Sequence, residues 1–196
     1  MTQMEDLTKN VMIVNEKLSP TPLGLCAFGM TTILLSLANA GLIGVTSPII
    51  AMAVLCGGFA ILITGLLEWK MNNLFGFVTF GGFAFFWLSF AAIVTLPVMG
   101  ISSAPSAIEM AAFLFVWALL ALALVICALR LGSKLLLATL GTLFLLFVCL
   151  IIGYLGIALF ITLGGYIGII TGLLALYLGV AAVINDVFNE AVIPVF

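Results

Sequence analysis

The chain contains no histidine, and of its 196 residues only five are Lys or Arg and seven are Asp or Glu. The lack of histidine excludes the general base of most Ser and Cys hydrolases, His-ligated haem and the common zinc sites. The four cysteines have no CxxC spacing, so neither a metal site nor a disulfide is expected. The few basic residues form no patch for nucleic acid. We therefore expect no enzyme activity, no cofactor, no metal and no nucleic-acid partner.

Long apolar segments make up most of the chain. Hydrophobic residues account for 66% of the sequence and charged residues for 6%, whereas about a quarter of a typical soluble domain is charged. A helix needs about 20 apolar residues to cross the hydrocarbon core of a bilayer. Six segments meet this requirement: residues 23–43, 48–67, 74–96, 107–129, 135–155 and 160–184. The sequence predicts an all-α, polytopic membrane protein with six transmembrane helices, and leaves open a five-span alternative without a break near 153–156.

The basic residues indicate how these spans are oriented. All five lie before the first span, after the second or between the fourth and fifth: Lys9, Lys17, Lys70, Arg130 and Lys134. With an even number of spans these positions are on one side, which the positive-inside rule assigns to the cytoplasm. We predict a plasma-membrane protein with a cytoplasmic N-terminal tail (1–22), a six-helix domain (23–185) and a cytoplasmic C-terminal tail (186–196).

Uncharged polar residues form a stripe on the first predicted span. Thr32, Ser36 and Asn39 recur at i, i+4 and i+7, so they share one helix face. Such a stripe either bonds to a neighbouring helix or lines a water-filled passage. Asn39 is the most informative member, because a buried amide must find hydrogen-bond partners. We therefore name Thr32 and Asn39 as candidates for contact with a substrate.

The start of the first span is suited to binding a small anion. Residues 19–24 read Ser-Pro-Thr-Pro-Leu-Gly, which places two prolines at the beginning of a helix. The free N–H groups and partial positive charge of a helix N-terminus favour an anion. Ser19 and Thr21 add hydrogen-bonding groups there and are further candidates for the substrate path. No charged residue falls at mid-membrane, which argues against a strongly coupled cation transporter or proton pump.

Two acidic residues lie at predicted membrane edges. Glu68 ends the second span, where it could form an ion pair with Lys70 or Arg130 or could take up a proton. The ion pair is the favoured interpretation. Glu109 opens the fourth span, where a carboxylate complements the partial positive charge of a helix N-terminus.

Glycines and aromatic residues each follow a helical spacing. Residues 164, 168 and 172 of the last span are glycines, a pattern typical of close helix packing, with a smooth pore wall as the alternative. Four aromatic residues share one face of the third span: Phe80, Phe83, Trp87 and Phe90. An aromatic face is either turned to lipid or forms an apolar gate that closes by dewetting.

Several motifs occur in a consistent order along the chain. Residues 19–25 read Ser-Pro-Thr-Pro-Leu-Gly-Leu, with Phe-Gly at 28–29. Residues 65–69 read Gly-Leu-Leu-Glu-Trp, residues 73–76 read Asn-Leu-Phe-Gly, and the aromatic run 80–87 ends in Phe-Trp. The last span carries Gly-Tyr-Ile-Gly and Ala-Leu-Tyr. Together these motifs resemble the signatures of the acetate uptake transporters, also called succinate–acetate permeases.

This resemblance implies a fold, an activity and a set of residues. It implies six spans around a pore within each subunit, assembly into a ring of six, and movement of acetate and similar monocarboxylates, in some members succinate. The apolar constriction of the family corresponds to Phe28, Phe83 and Leu143 here. Ala175 corresponds to a position that lines the path and affects substrate size, and Tyr177 belongs to the same motif and is added as a candidate.

The chain departs from the family pattern at the start of the first span and in the constriction. Ser19 stands in place of Asn and Thr21 in place of Ala, which changes the groups available to an anion at the helix start. Phe83 stands where the family usually has Tyr, so the constriction loses a hydroxyl and becomes drier. We expect a permease or channel for acetate and related short monocarboxylates, with proton-linked uptake. The alternatives are a pore for neutral small solutes and a structural membrane oligomer without a pore.

Overall fold

The computed structural model describes residues 18–195, which form six long helices joined by loops. These helices are α1 (Thr21–Asn39), α2 (Ser47–Lys70), α3 (Leu74–Val98), α4 (Ala107–Leu131), α5 (Lys134–Tyr154) and α6 (Leu159–Phe188). Each is long and apolar enough to cross a membrane, and none of residues 18–195 is in a β-strand. The predicted all-α fold with six spans is confirmed. The five-span alternative is wrong, because Gly156, at φ 123°, lies in a break between α5 and α6.

Helix ends follow local sequence signals. Asn73 caps α3 by accepting a hydrogen bond from the Gly76 N–H at 3.1 Å, and Ser106 and Glu109 form a capping box at the start of α4. The role predicted for Glu109 at a helix N-terminus is therefore confirmed. The first helix, α1, begins at Thr21 rather than at residue 23. The last helix, α6, continues to Phe188, past the predicted domain boundary at 185. Most of the predicted N-terminal tail, with Lys9 and Lys17, lies outside the described residues.

The second span is not a regular α-helix. Its central segment, Ala53–Ala60, is π-helical and carries adjacent glycines at 57 and 58. An added Cβ at Gly57 would lie 2.5 Å from Cγ of Trp87, and one at Gly58 would lie 2.5 Å from a methyl carbon of Leu88. The two glycines therefore let α3 approach α2 closely where the helix is widened.

The glycines of α6 allow an equally close approach to α1. Gly165 faces the backbone of Ala40, and an added Cβ at Gly172 would lie 2.7 Å from the carbonyl oxygen of Gly29. These two helices make the most extensive helix–helix contact in the described chain. The glycine spacing on the last span thus serves helix packing, as its favoured interpretation predicted.

Consecutive helices run in opposite directions, so the helix termini fall at two ends of the bundle. We call the end carrying Lys70, Arg130 and Lys134 the basic end, and it also holds Thr21 at the start of α1. We call the opposite end, where α1 terminates at Asn39, the far end.

Candidate functional site: an apolar collar between two cavities

Three apolar side chains meet at the centre of the bundle. Phe28 of α1, Phe83 of α3 and Leu143 of α5 are all buried, with 8%, 2% and 3% of their surface exposed. The rings of Phe28 and Phe83 have centroids 5.8 Å apart and are tilted by 49°. We call these three residues the collar. The sequence places them far apart, and the fold brings them together around the same two cavities.

The wide cavity lies on the basic side of the collar and has a volume of about 330 Å³. Thr21 and Asn73, at the starts of α1 and α3, belong to its wall, so it extends to the basic end. The rest of the wall is mostly apolar and includes Leu136 of α5 and Leu178 of α6. None of its lining residues carries a charge, so a carboxylate entering it would meet hydroxyls, an amide and helix ends.

The narrow cavity lies on the far side of the collar and has a volume of only about 30 Å³, room for a water molecule or two. Phe28, Phe83 and Leu143 line this cavity as well as the wide one. The collar is therefore the boundary between the two spaces. All the residues that line the narrow cavity belong to α1, α3 or α5.

The polar stripe of α1 faces the narrow cavity. Thr32, Ser36 and Asn39 all belong to its wall. Asn39, at the end of α1, is half-buried rather than fully buried, which places its amide at the far limit of this cavity. Of the two interpretations of the stripe, the structure favours the passage over a bond to a neighbouring helix.

Aromatic rings close the narrow cavity toward the remaining helices. Phe147 stacks on Phe83 with centroids 6.4 Å apart, and Phe86 meets Phe147 edge-on at 5.4 Å. Trp87 lines the cavity and packs edge-on against Phe90 at 6.1 Å. The aromatic face predicted for α3 therefore turns mainly inward, and the alternative that places it against lipid is wrong for Phe83 and Trp87.

Glu68 is buried at the basic end and forms a hydrogen-bond network instead of the expected ion pair. Its carboxylate accepts hydrogen bonds from the Thr21 hydroxyl and, at 2.7 Å, from the Asn73 amide. Among the described residues no ion pair joins it to Lys70 or Arg130, both of which are exposed. The pairing prediction is wrong because α1 and α3 supply neutral donors that reach Glu68 within the bundle. The network ties together the starts of α1 and α3 and the end of α2.

Three predicted path residues lie away from both cavities. Ser19 is exposed and accepts a hydrogen bond from the Thr21 N–H at 3.4 Å. Tyr177 is exposed on the outside of α6, where its hydroxyl donates to the Pro194 carbonyl at 2.8 Å. Ala175 is fully buried in the core without lining either cavity. These placements correct the sequence predictions, since the α6 residue that reaches the wide cavity is Leu178.

Other residues of the site carried a weaker sequence signal. In the sequence, Asn73 stands out only as part of a motif, and Thr79, which lines the wide cavity, belongs to no motif. The aromatic spacing of α3 includes Trp87 but gives no signal for its N–H group. The helical spacing of 3.6 residues from Phe80 and Phe83 would place Trp87 and Thr79 close to the same face.

The described residues contain no group of three or more His, Cys, Asp or Glu side chains able to hold a metal ion. All four cysteines, at 26, 56, 127 and 149, are free thiols. The site consists of an apolar constriction, two cavities and a few neutral hydrogen-bonding groups. That combination, inside six helices of membrane-spanning length, is typical of a multi-pass membrane channel or transporter.

Comparison with known proteins identifies the family. The sequence pattern of the GPR1/FUN34/yaaH family matches residues 7–196, and the chain belongs to this family. It is 39% identical over 183 residues to the succinate-acetate/proton symporter SatP of Escherichia coli K12, covering 92% of this chain and 97% of that protein. The fold matches the solved structure of a bacterial acetate channel SatP with a TM-score of 0.89 and 38% identity, over 91% of this chain and 99% of the other.

A relative with a different name is also similar. The ammonia transport outward protein 2 of Saccharomyces cerevisiae is 36% identical over 125 residues, which cover 60% of this chain and 44% of the yeast protein. The recognition made from the sequence motifs is confirmed by the match to the family and to SatP.

Proposed function

We propose that this protein moves acetate and related short monocarboxylates, with the dicarboxylate succinate as a larger substrate, through the passage between its two cavities. The observation that carries the proposal is the collar: Phe28, Phe83 and Leu143 are shared by two cavities on the axis of the bundle. The similarity to a succinate-acetate/proton symporter along 97% of that protein's length supports the substrate class.

The collar would select substrates by the free energy of their dehydration. A methyl group enters an apolar ring readily, whereas a bare carboxylate loses its hydration there at a large energetic cost. A proton on the carboxylate removes much of that cost. Thr21 would meet the substrate in the wide cavity, and Thr32 and Asn39 would replace part of its lost hydration beyond the collar.

Glu68 is our candidate for the proton-linked step. Its carboxylate is only 1% exposed, and its hydrogen-bond partners Thr21 and Asn73 both line the wide cavity. Glu68 does not line the wide cavity itself, and its connection to that cavity runs through the hydrogen bonds from Thr21 and Asn73. Glu68→Gln keeps the size of the side chain and one acceptor oxygen, replaces the other oxygen with an amide nitrogen that donates, and removes the charge. We expect this variant to fold and to show flux that depends less on pH than that of the wild type.

We further propose a plasma-membrane protein with both termini in the cytoplasm and a role in transport rather than catalysis. Lys70, Arg130 and Lys134 all lie at the basic end, and the positive-inside rule assigns that end to the cytoplasm. Thiol labelling in whole cells tests it: a cysteine introduced at exposed Lys134 should react only after the cells are permeabilised. Labelling of intact cells would contradict the orientation.

The resemblance to the acetate uptake transporters supports a homo-oligomer, a ring of six copies with a passage in each. Exposed apolar residues cover the outer faces of the helices, among them Leu173 and Tyr177 of α6, and such faces contact either lipid or a second copy. Native mass spectrometry from detergent should give the mass of six chains. A monomer that retains full flux would contradict the ring as the functional unit.

The decisive experiment is labelled acetate flux into proteoliposomes across a pH gradient. With acid outside, more substrate carries a proton, so we expect uptake to rise as the external pH falls. Flux that does not depend on pH would support a plain anion channel and contradict proton linkage. An absence of acetate flux at every pH would contradict the proposed function as a whole.

A pore for neutral small solutes is the second candidate, and the name of the yeast relative favours it. The uncharged, mostly apolar walls of the wide cavity are compatible with such solutes. Competition separates the candidates. Acetate analogues that are almost wholly ionised at the assay pH should inhibit acetate flux under our proposal and should have no effect on a pore for neutral molecules.

A further inference from the structure

Two residues that line the narrow cavity, Thr32 and Trp87, each carry a buried polar side-chain atom with no hydrogen-bond partner among the described residues. The Trp87 indole nitrogen Nε1 and the Thr32 hydroxyl oxygen Oγ1 are both buried and unpaired among the described residues. Only 2% of the Trp87 surface and 3% of the Thr32 surface is exposed. More than about nine in ten buried polar groups in folded proteins are paired, so two unpaired groups on one cavity of this size require an explanation.

Thr32 differs in this respect from the other threonines of the spans whose whole side chain is buried, whereas the half-buried Thr79, on the wide cavity, also has an unpaired hydroxyl. The hydroxyl of its neighbour Thr31 donates to the Ala27 carbonyl at 2.8 Å, one turn earlier on α1. The hydroxyls of Thr139 and Thr171 likewise donate within their own helices, at 2.8 and 2.9 Å. A threonine in a helix thus has a ready acceptor, and Thr32 is oriented so that it does not use it.

Trp87 is held in place by its neighbours. Its ring packs edge-on against Phe86 with centroids 5.2 Å apart and against Phe90 at 6.1 Å. On its other side, Gly57 of α2 leaves room for the indole, and any side chain there would overlap it. The ring therefore has little freedom to turn its N–H toward another protein group.

We propose that the Trp87 N–H and the Thr32 hydroxyl form a donor pair that binds the carboxyl oxygens of the substrate on the far side of the collar. This inference rests on the proposed function and adds a ligand contact, Trp87. An indole N–H is a donor only, so Trp87 suits a carboxylate or carboxylic acid and offers no acceptor to an ammonium ion, whereas the Thr32 hydroxyl can donate or accept. Because neither group is bonded to another of the described residues, binding breaks no hydrogen bond within that part of the protein.

Flux measurements on matched variants test the pair. Thr32→Val and Trp87→Phe each remove one donor while preserving most of the volume, and Thr31→Val is the control, because Thr31 bonds to its own helix. A hydrogen bond to a charged acceptor corresponds to roughly a tenfold change in binding or more. We therefore expect each donor variant to raise the acetate concentration for half-maximal flux about tenfold, and the control to change it less than about twofold. Equal effects of Thr31→Val and Thr32→Val would overturn the proposal.

A direct readout on the wild type does not depend on how the variants fold. Three tryptophans, Trp69, Trp87 and Trp117, give three indole N–H resonances in protein labelled with ¹⁵N at the indole nitrogen and held in lipid nanodiscs. The resonance missing from Trp87→Phe identifies Trp87. We expect sodium acetate to shift this resonance saturably, and ammonium chloride to leave it unchanged.

The outcomes separate this inference from the function on which it rests. If wild-type protein carries acetate but the Trp87 resonance does not respond to it, the donor pair is wrong and the transport function stands. If wild-type protein carries no acetate while the resonance shifts, the pair binds a carboxylate and the transport function is wrong. A shift with ammonium chloride equal to that with acetate would overturn the selectivity assigned to the pair.

Discussion

The two cavities on either side of the collar have volumes of about 330 and 30 Å³, although α1, α3 and α5 line both. The wide cavity has small and polar groups where the helices begin, including Thr21 and Gly76. The narrow cavity is filled from the side by the large rings of Phe86, Trp87 and Phe147. Side-chain size, rather than helix position alone, therefore decides how much water each half of the passage can hold.

This difference assigns the two halves different tasks. A wide cavity at the basic end can hold a hydrated substrate close to the Glu68 network, while the narrow cavity must accept a largely dehydrated one. The selective contacts are then expected on the far side of the collar, where little water competes with them. Variants placed in the collar or in either half can break this comparison or sharpen it.

Removal of the boundary should have the largest effect. Phe83→Ala joins the two cavities and leaves a void, with a loss of about 3–5 kcal/mol in the free energy of unfolding. We expect faster flux and admission of larger monocarboxylates, measured in proteoliposomes with acetate and butyrate. Phe85→Ala is the control, since Phe85 lies on the same helix with 55% of its surface exposed. If Phe83→Ala left both rate and selectivity unchanged, the collar would not be the boundary, and a structural role without a pore would gain support.

A disturbance of the far end should affect the narrow cavity. At Gly165 an added Cβ would overlap the backbone of Ala40, next to Asn39. Gly165→Ala should therefore lower the free energy of unfolding by about 1–3 kcal/mol and weaken acetate binding, as measured by thermal unfolding in detergent and by flux. Gly141→Ala serves as the control, because no atom lies within 4 Å of its added Cβ. Equal destabilisation by the two substitutions would show that the close contact between α1 and α6 is unimportant.

A disturbance of the basic end should affect the wide cavity and the pH response. Asn73→Ala removes the cap of α3 and one hydrogen bond to Glu68, with an expected loss of about 1–2 kcal/mol. Flux should also lose part of its pH dependence, because the Glu68 carboxyl group is then held less firmly. Asn72→Gly is a suitable control, because Asn72 is adjacent to Asn73 and its own φ is 59°, a value that glycine adopts freely. If the pH dependence of flux were unchanged in Asn73→Ala, the hydrogen bond from Asn73 to Glu68 would play no part in the proton-linked step.

The smallest effect is expected for a hydroxyl that faces the wide cavity. Thr79 has a buried, unpaired Oγ1, as Thr32 does, but it lies on the cavity that can hold several waters. Thr79→Val should change stability by no more than about 0.5 kcal/mol and acetate flux by less than about twofold, because water can take the place of the hydroxyl. A loss of flux as large as that of Thr32→Val would mean that the two halves do not differ in hydration.

The sequence was sufficient to predict the architecture and to identify a polar face on α1. Six apolar segments of spanning length fix the number of helices, because hydrophobicity and length are the main requirements for crossing a bilayer. The spacing of Thr32, Ser36 and Asn39 marks one helix face, and Glu109 marks a helix start. These features depend on neighbours within one helix, which a sequence displays directly.

Features that depend on contacts between helices were harder to predict. Tyr177 and Ala175 belong to the same motif, yet the rotation of α6 turns one outward and buries the other in the core. The partners of Glu68 come from α1 and the start of α3, whereas the charges of Lys70 and Arg130 suggested an ion pair. The π-helical segment of α2 also has no distinct signal, since its residues are as apolar as those on either side.

The collar takes one residue from each of α1, α3 and α5, so no contiguous half of the chain contains all of it. During synthesis, the first four spans can enter the membrane without enclosing a passage, because Leu143 has not yet been translated. A conducting route can be completed only once the fifth span has joined the others, late in translation.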